Sequence, residues 1–174
     1  MQLAFGTLGT LCISFLLISL LAAATQSRET IEKKVRRPVV GWSTWCTGNQ
    51  CGEDWCTASE VLSVANELKA TGMLGVGFNH ILLDDCWGVR NQENHRIEAD
   101  HNRFPNGIAN LAEQLHAMGF RLGVYTDMGV DGCHHPFTGS WPYYSQDARD
   151  FASWGVDYVK FDYCSPPPTS HARG

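Results

Sequence analysis

The feature that most constrains the fold is an ordered alternation of short apolar runs with longer segments that are apolar on one face. The short runs have the length of buried strands, and the longer segments repeat apolar residues at the three, four and seven spacing of amphipathic helices. The runs are residues 39–42, 79–83, 120–126 and 156–161, and the helical segments are residues 59–71, 108–118 and 146–154. The order βαβαβαβ predicts a parallel sheet covered by helices on at least one face.

Two folds satisfy this order, a doubly wound sheet and a β/α barrel. A doubly wound sheet usually has a glycine-rich phosphate turn after its first strand, and neither G-x-G-x-x-G nor G-x-x-x-x-G-K-[ST] occurs in the sequence. A barrel places its functional side chains at the carboxyl ends of several strands. Such residues follow all four predicted strands here: Trp45, Asp84, Asp85, Tyr125, Asp127 and Asp162. The sequence therefore favours a β/α barrel built on a parallel sheet.

Composition excludes one class of partner. The chain has 174 residues, of which 44% are hydrophobic and 18% charged, so it can form a globular core. The formal net charge is −5, and the only basic cluster is residues 33–37. Because polyanion binding requires a broad basic surface, we expect no nucleic-acid partner.

The amino-terminal segment has the features of a secretory leader. No charged residue precedes Arg28, and residues 11–24 form an apolar run that ends in three alanines, Ala22 to Ala24. This pattern predicts a cleaved signal peptide over residues 1–24 and a linker over residues 25–37. The alternative is an uncleaved anchor, because the apolar run counted from Leu8 approaches the length needed to span a bilayer. We expect entry into the secretory pathway without stable membrane association, and a final location that is secreted, lysosomal or vacuolar.

Cysteine usage agrees with secretion. Besides Cys12 in the leader, the chain has six cysteines: Cys46, Cys51, Cys56, Cys86, Cys133 and Cys164. An even number behind a leader predicts up to three disulfides, whose pairing the sequence alone leaves open. The alternative is a zinc site, but the spacing of the first three cysteines does not match the short C-x-x-C pairs of structural zinc. We therefore predict no metal and no cofactor.

The sequence LLDDCW places Asp84 and Asp85 side by side directly after a buried strand. Two adjacent carboxylates there need hydrogen-bond donors or a retained proton. A sugar supplies hydroxyl donors, and a tryptophan such as Trp45 or Trp87 can pack against the apolar face of a pyranose ring. A metal would also suit paired aspartates, although the clustered His134 and His135 lie in a loop of unpredictable position. The alternative without a functional role is an acidic loop that is exposed to solvent.

Four collinear motifs resemble a known family. They are GWSTWC (residues 41–46), LLDDCW (82–87), RFPNGIANLAEQLHAMGFRLGVYTDMG (103–129) and FASWGVDYVKFDYC (151–164). Together they resemble the N-terminal half of the melibiase-type α-galactosidases and α-N-acetylgalactosaminidases, family 27 of the glycoside hydrolases. The resemblance covers about residues 39–164. It implies a parallel (β/α)8 barrel, of which this chain holds about the first four βα units. The barrel would remove terminal α-linked galactose with retention of configuration, with an α-galactoside as its partner.

The resemblance also implies roles for individual residues. Asp162, in the motif Lys160-Phe161-Asp162, corresponds to the nucleophile, and Lys160 would keep it anionic from the same face of the strand. The resemblance makes Asp84 and Asp85 ligands of sugar hydroxyls, Trp45 the aromatic wall, and Tyr125 and Lys160 further sugar contacts. It pairs Cys133 with Cys164 beside the nucleophile. It also implies that either Cys46 or Cys51 pairs with Cys86, and that the two remaining cysteines close a small loop.

The predicted organisation ends before a complete barrel. Residues 38–164 are the expected N-terminal half of the catalytic domain, and residues 165–174, with three prolines, are an irregular tail. The family's acid/base aspartate belongs to the other half, so we expect this chain by itself to be truncated before that residue and at most weakly active. Asp147, Asp150 and Asp157 are not expected to replace it. The alternative function is a secreted galactose-binding or inactive galactosidase-like protein. Galactose versus N-acetylgalactosamine and the oligomeric state stay open.

Overall fold

The computed structural model describes residues 38–45, 47 and 55–167. The predicted leader and linker, Cys46, Cys51 and most of the predicted tail lie outside the described residues. Within the described ranges, no helix has both the length and the apolar character that a bilayer crossing requires.

The elements alternate as the sequence predicts. In chain order they are β1 (Gly41–Ser43), α1 (Ala58–Ala70), a 3₁₀ turn (Leu74–Val76), β2 (His80–Leu83), β3 (Gly88–Arg90), β4 (Ile97–Ala99), α2 (Gly107–Met118), β5 (Arg121–Asp127), α3 (Tyr144–Ser153) and β6 (Tyr158–Asp162). The main sheet has the order β1-β2-β5-β6, and every neighbouring pair is parallel. This confirms the prediction of a parallel sheet with helical connections. Element ends differ from the predicted bounds by about two residues, as is usual for helix and strand ends.

Local signals explain where the helices begin and end. At the start of α1, the backbone N–H of Glu60 donates to Thr57 Oγ1, and the backbone N–H of Thr57 donates to the Glu60 carboxylate. This reciprocal capping box satisfies amide groups that have no partner inside the helix. Helix α2 ends at Gly119, which has a φ of 98°, a value that glycine adopts without steric cost.

The two faces of the sheet have different roles. Strand residues such as Ile81, Leu83 and Val124 are fully buried against the helices, together with Val61, Leu111, Leu115 and Phe151. On the opposite face, the space at Gly123 is too small for a side chain. A Cβ there would lie 2.7 Å from the Tyr158 ring and 3.1 Å from the Leu82 side chain. The helix-covered face is therefore the hydrophobic core, and the other face leads at its carboxyl end to the polar side chains.

The connection after β2 contains a hairpin that the sequence did not reveal. Strands β3 and β4 pair antiparallel over three residues each. Arg90 at the end of β3 donates to both carboxylate oxygens of Asp147 at 2.7 Å and to the carbonyl of Gly139. Runs of three residues are too short for a reliable alternation pattern, and the hairpin is fixed by this contact with α3, which is distant in sequence.

Candidate active site

Polar side chains from the second, third and fourth strands of the main sheet meet at its carboxyl edge. The strand register pairs Tyr125 with Lys160 and Asp127 with Asp162. Lys160 Nζ lies 3.0 Å from Asp84 Oδ2 and 3.5 Å from Asp162 Oδ2. One ammonium group therefore bridges a carboxylate from the end of β2 and a carboxylate from the end of β6. This bridge lowers the repulsion between two negative charges that lie close together.

Asp84 is fixed by the first and last strands of the sheet. Its side chain is 2% exposed, and its carboxylate accepts hydrogen bonds from Lys160 Nζ at 3.0 and 3.1 Å. Its backbone N–H donates to Thr44 Oγ1 at 2.8 Å, and Ser43 Oγ lies 3.5 Å from Oδ2. The direction of the Asp84 carboxylate therefore depends on the loop after β1 as well as on β6.

Asp85 points to different partners from its neighbour. Its carboxylate, in a residue that is 1% exposed, accepts hydrogen bonds from the backbone N–H of His134 at 2.6 Å, of His135 at 3.3 Å, and from Thr138 Oγ1 at 3.1 Å. All three donors belong to the loop after β5. The two adjacent carboxylates thus have separate hydrogen-bond donors, which reduce the repulsion between them. Asp84 accepts from the Lys160 ammonium, and Asp85 accepts from backbone and hydroxyl groups of the loop. Direct sugar binding by either carboxylate stays a prediction.

Aromatic rings surround the lysine. Lys160 Nζ lies 5.4 Å from the ring centroid of Trp45 and 5.1 Å from that of Tyr125, which is the range of cation–π contacts. The imidazole of His134 meets the Trp45 ring edge-on, with centroids 4.9 Å apart. Trp45 is therefore brought to the carboxylates, as its position after β1 predicted.

Trp87, the other tryptophan considered for the sugar wall, has a structural position. It is almost fully buried and packs edge-to-face against Phe151 and Trp154. Its indole Nε1 donates to the carbonyl of Tyr125 at 3.0 Å. Because its ring belongs to the core, Trp87 is not available as a wall for a sugar, and that interpretation is wrong.

The Tyr125 hydroxyl is engaged by the loop that follows β5. It donates to Cys133 Sγ at 3.2 Å and accepts from the Cys133 backbone N–H at 3.0 Å. Burial raises the pKa of the Tyr125 phenol well above its ordinary value, and the nearby carboxylates of Asp85, Asp127 and Asp162 add to that effect. The Cys133 N–H acts in the opposite direction but does not cancel the rise. Tyr125 is therefore a neutral phenol at this edge.

A disulfide beside Asp162 joins the loop after β5 to the segment after β6. Cys133 and Cys164 are bonded, with Cα atoms 5.1 Å apart. Cys133 Sγ lies 3.6 Å from Asp162 Oδ2, which is a van der Waals contact because a disulfide sulfur carries no hydrogen. The Asp162 side chain is 37% exposed, and its other oxygen accepts from the backbone N–H of Tyr163 at 3.0 Å. Asp162 is thus the most accessible carboxylate among those that surround Lys160 and Asp84.

The second disulfide corrects the expected pairing of Cys86. Cys86 is bonded to Cys56, not to Cys46 or Cys51. Cys56 lies directly before the cap of α1, and the start of that helix brings it to the carboxyl end of β2, where both sulfur atoms are buried. Because Cys56 is bonded to Cys86, it cannot also close the expected small loop with Cys46 or Cys51. Cys46 and Cys51 themselves lie outside the described residues. The metal-like group of Asp127, Cys133 and Cys164 contains a disulfide, so it offers no thiolate ligand.

The three aspartates that were not expected to replace the acid/base residue have other partners. Asp147 holds Arg90, Asp150 contacts Arg96, and Asp157 accepts from the backbone N–H of Leu122 and from His116. One residue at the carboxyl edge of the main sheet, Asp127, was noted in the sequence without a role. Asp127, the last residue of β5, is fully buried and accepts three backbone N–H groups. Its only sequence signal was its position two residues after Tyr125, on the same face of the strand.

The parallel sheet, its helical connections and the polar residues at its carboxyl edge define the N-terminal part of a (β/α)8 barrel. The family model described as alpha galactosidase A, of the melibiase group, matches residues 37–174. The chain belongs to this family, which confirms the resemblance carried by the four motifs.

Curated relatives agree. Alpha-galactosidase A of Cellvibrio japonicus is 36% identical over 159 residues, which cover 90% of this chain and 37% of the relative. Alpha-galactosidase mel1 of Schizosaccharomyces pombe is 41% identical over 130 residues, which cover 74% of this chain and 29% of the relative. The chain therefore spans about a third of the length of these relatives.

Solved structures are similar in fold. The α-galactosidase of Saccharomyces cerevisiae, whose structure is also known with raffinose, gives a TM-score of 0.66 at 32% identity and covers 74% of this chain and 27% of its own. Alpha-galactosidase I of Mortierella vinacea gives a TM-score of 0.66 at 30% identity, covering 74% of this chain and 31% of its own. The predicted barrel class is thereby confirmed.

Proposed function

We propose that this protein is a retaining glycoside hydrolase that removes terminal α-linked galactose from oligosaccharides or glycoconjugates. The observation that carries the proposal is the bridge of Lys160 between Asp84 and Asp162, formed beside the rings of Trp45 and Tyr125. The names of the relatives as α-galactosidases support the reaction. The secretory pathway is the proposed compartment, because two disulfides are typical of proteins that fold under oxidising conditions.

Asp162 is the proposed nucleophile. Its carboxylate oxygen attacks the anomeric carbon, the bond from that carbon to the glycosidic oxygen breaks, and a covalent galactosyl ester forms on Asp162 while a second carboxyl group, the general acid, gives its proton to the departing oxygen. Water then loses a proton to that same group, attacks the same carbon and releases both galactose and the Asp162 carboxylate, so that two inversions give net retention. Lys160 lies 3.5 Å from the attacking carboxylate as its countercharge, and the partial exposure of Asp162 leaves it accessible to a sugar.

The surrounding residues are proposed to bind the sugar. Asp84 accepts hydroxyl hydrogen bonds, Lys160 donates to hydroxyl oxygens, and Trp45 packs against the apolar face of the ring. Asp85 and Tyr125 complete the set that the family resemblance implies. Among substrates, α-galactosides of the raffinose type are proposed, since the yeast relative is known in a structure with raffinose. Galactose is preferred here to N-acetylgalactosamine.

A second candidate is a secreted galactose-binding protein without hydrolytic activity. It is favoured by the state of the carboxylates at this edge within the described residues. Asp84, Asp85 and Asp127 are each at most 2% exposed and each accept hydrogen bonds from an ammonium, hydroxyl or amide donor. Carboxylates whose direction is fixed in this way form a preformed polar site, which galactose binding requires whether or not hydrolysis follows.

The two candidates are separated by hydrolysis of an aryl α-galactoside. The full-length product of the gene is compared with its Asp162→Asn variant, and Asp131→Asn, an aspartate in the loop after β5, serves as the control. We expect Asp162→Asn to lower kcat by more than about 10³-fold, since loss of a covalent nucleophile costs several orders of magnitude. Galactose binding by calorimetry should persist in all three proteins. Equal hydrolysis rates for wild type and Asp162→Asn would favour the binding protein.

A further inference from the structure

We infer that Asp127 is a positioning residue that sets the direction of Asp162, an inference that rests on the proposed hydrolytic function. Asp127 lies directly beside Asp162 in the register of β5 and β6. It is fully buried, whereas Asp162 is partly exposed. All three hydrogen bonds that the structure gives to the Asp127 carboxylate come from backbone N–H groups of the surrounding loops, so the role assigned to it is one that acts through the protein.

The contacts of Asp127 connect two loops. Its Oδ1 accepts from the backbone N–H of Gly129 at 2.8 Å and of Ser165 at 3.2 Å, and its Oδ2 accepts from that of Cys164 at 2.6 Å. Two of these three donors belong to the segment that follows Asp162, and the third belongs to the loop after β5. Hydrogen bonds to a charged acceptor are shorter and stronger than neutral ones, so this carboxylate is a firm link between the loops.

Further contacts hold the loop after β5 and the segment after Asp162 together. The backbone N–H of Met128 donates to the carbonyl of Asp162 at 3.0 Å, and the disulfide joins Cys133 to Cys164. Gly129 is required there, because a Cβ at that position would overlap the carbonyl of Ser165. The peptide group of Asp162 is thus held by Met128, and the backbone two residues later is held by Asp127.

The Asp162 side chain depends on this backbone for its direction. Around its carboxylate, the structure gives Lys160 Nζ at 3.5 Å, the Tyr163 N–H at 3.0 Å and the Cys133 sulfur at 3.6 Å. Two of these three groups, Tyr163 and Cys133, lie on the segments that Asp127 ties together. A nucleophile must keep a near-attack position, and a displacement of about 1 Å can cost about 10²-fold in rate. A shift of either segment therefore moves the attacking oxygen.

Both oxygens of Asp127 are needed. An asparagine at this position has one acceptor oxygen, and its NH₂ group would face at least one backbone N–H donor. Such a substitution keeps the size of the side chain but removes its negative charge, and it loses either the bond from the Cys164 N–H or those from the Gly129 and Ser165 N–H groups. Asp131 provides a matched control, since it lies in the same loop and accepts the backbone N–H of Phe137 at 2.9 Å without contact to the segment after β6 in the hydrogen bonds described.

The test compares Asp127→Asn and Asp131→Asn in the full-length protein, with an aryl α-galactoside as substrate. We expect Asp127→Asn to lower kcat by about 10- to 100-fold while KM and the inhibition constant of free galactose change less than about threefold. Asp131→Asn should stay within about twofold of wild type in kcat. Thermal melting of each variant, and rates measured well below the melting temperature, separate a displaced nucleophile from a partly unfolded protein.

The outcomes are distinguishable. An active wild type whose Asp127→Asn variant keeps its kcat overturns this inference alone. A kcat loss that disappears at temperatures where the variant is fully folded also overturns it. A wild type without hydrolytic activity overturns the proposed function and this inference with it. Should Asp127→Asn fail to fold, Asp127→Glu, which keeps the anion but adds one methylene, must show the same selective loss of kcat with unchanged galactose inhibition.

Discussion

Replacement of Arg90 by methionine should strongly destabilise the protein. The guanidinium donates to both oxygens of Asp147 at 2.7 Å and to the carbonyls of Gly139 and His95 at 2.7 and 3.0 Å. The side chains of Arg90 and Asp147 are only 6% and 1% exposed. Arg90→Met therefore leaves Asp147 as a buried carboxylate without its cation.

The magnitude follows from the loss of the cation. Removal of one partner of a buried ion pair typically costs about 3–5 kcal/mol. Asp147 lies in the first turn of α3, where the helix dipole favours a negative charge in wild type and variant alike, so this contribution cancels in the comparison. The free energy of unfolding should therefore fall by about 3–5 kcal/mol, which is more than a hundredfold in the folding equilibrium.

The assay is urea denaturation of the full-length protein, followed by circular dichroism. The double variant Arg90→Met with Asp147→Leu should recover most of the loss, because it removes the unpaired charge as well as its partner. Arg149→Met, on the exposed face of the same helix, should lie within about 0.5 kcal/mol of wild type. A single variant within 1 kcal/mol of wild type, or a double variant no better than the single one, would refute the reasoning.

Two further predictions concern Tyr125, on β5, and Gly132, in the loop after β5. Because burial raises the Tyr125 pKa above the ordinary 10.0, folding favours the neutral phenol; its stabilisation is complete below about pH 10 and is lost as the pH rises through the folded-state value. Urea denaturation between about pH 8 and 11 should show a steeper loss for wild type than for Tyr125→Phe, and parallel curves would contradict this. Gly132→Ala should cost about 1–3 kcal/mol, since a Cβ there would lie 2.5 Å from Asp85 Oδ1. Gly75→Ala, where nothing lies within 4 Å, is its control, and equal melting temperatures for both variants would count against the close approach.

The sequence by itself determined the order of the elements and the edge at which the polar residues meet. Apolar periodicity reports local burial, so runs of four to eight residues and amphipathic segments identify strands and helices without knowledge of their partners. Parallel strands joined by helices have their carboxyl ends at one edge. Trp45, Asp84 and Asp162 could therefore be assigned to one site although they are far apart in the chain.

Only the tertiary structure decided which groups contact each other within that site. Asp84 and Asp85 are equivalent in the sequence, yet one faces Lys160 and the other faces the loop after β5. Trp87 is the last residue of the same LLDDCW motif, yet its ring is buried in the core. These differences depend on how the chain turns after β2 and on segments that lie some 50 to 75 residues further along.

The Cys56–Cys86 disulfide and the β3–β4 hairpin also could not be predicted from the sequence alone. The spacing of the cysteines did not identify Cys56 as the partner of Cys86, because pairing requires Cα atoms within about 7 Å, a distance that is set by the packing of α1 against the sheet. The β3–β4 hairpin is held by Arg90 and Asp147, which belong to separate elements. Local pattern determines which segments become helix or strand, whereas the partner of a buried charge or sulfur is decided by contacts that form only when distant segments pack together.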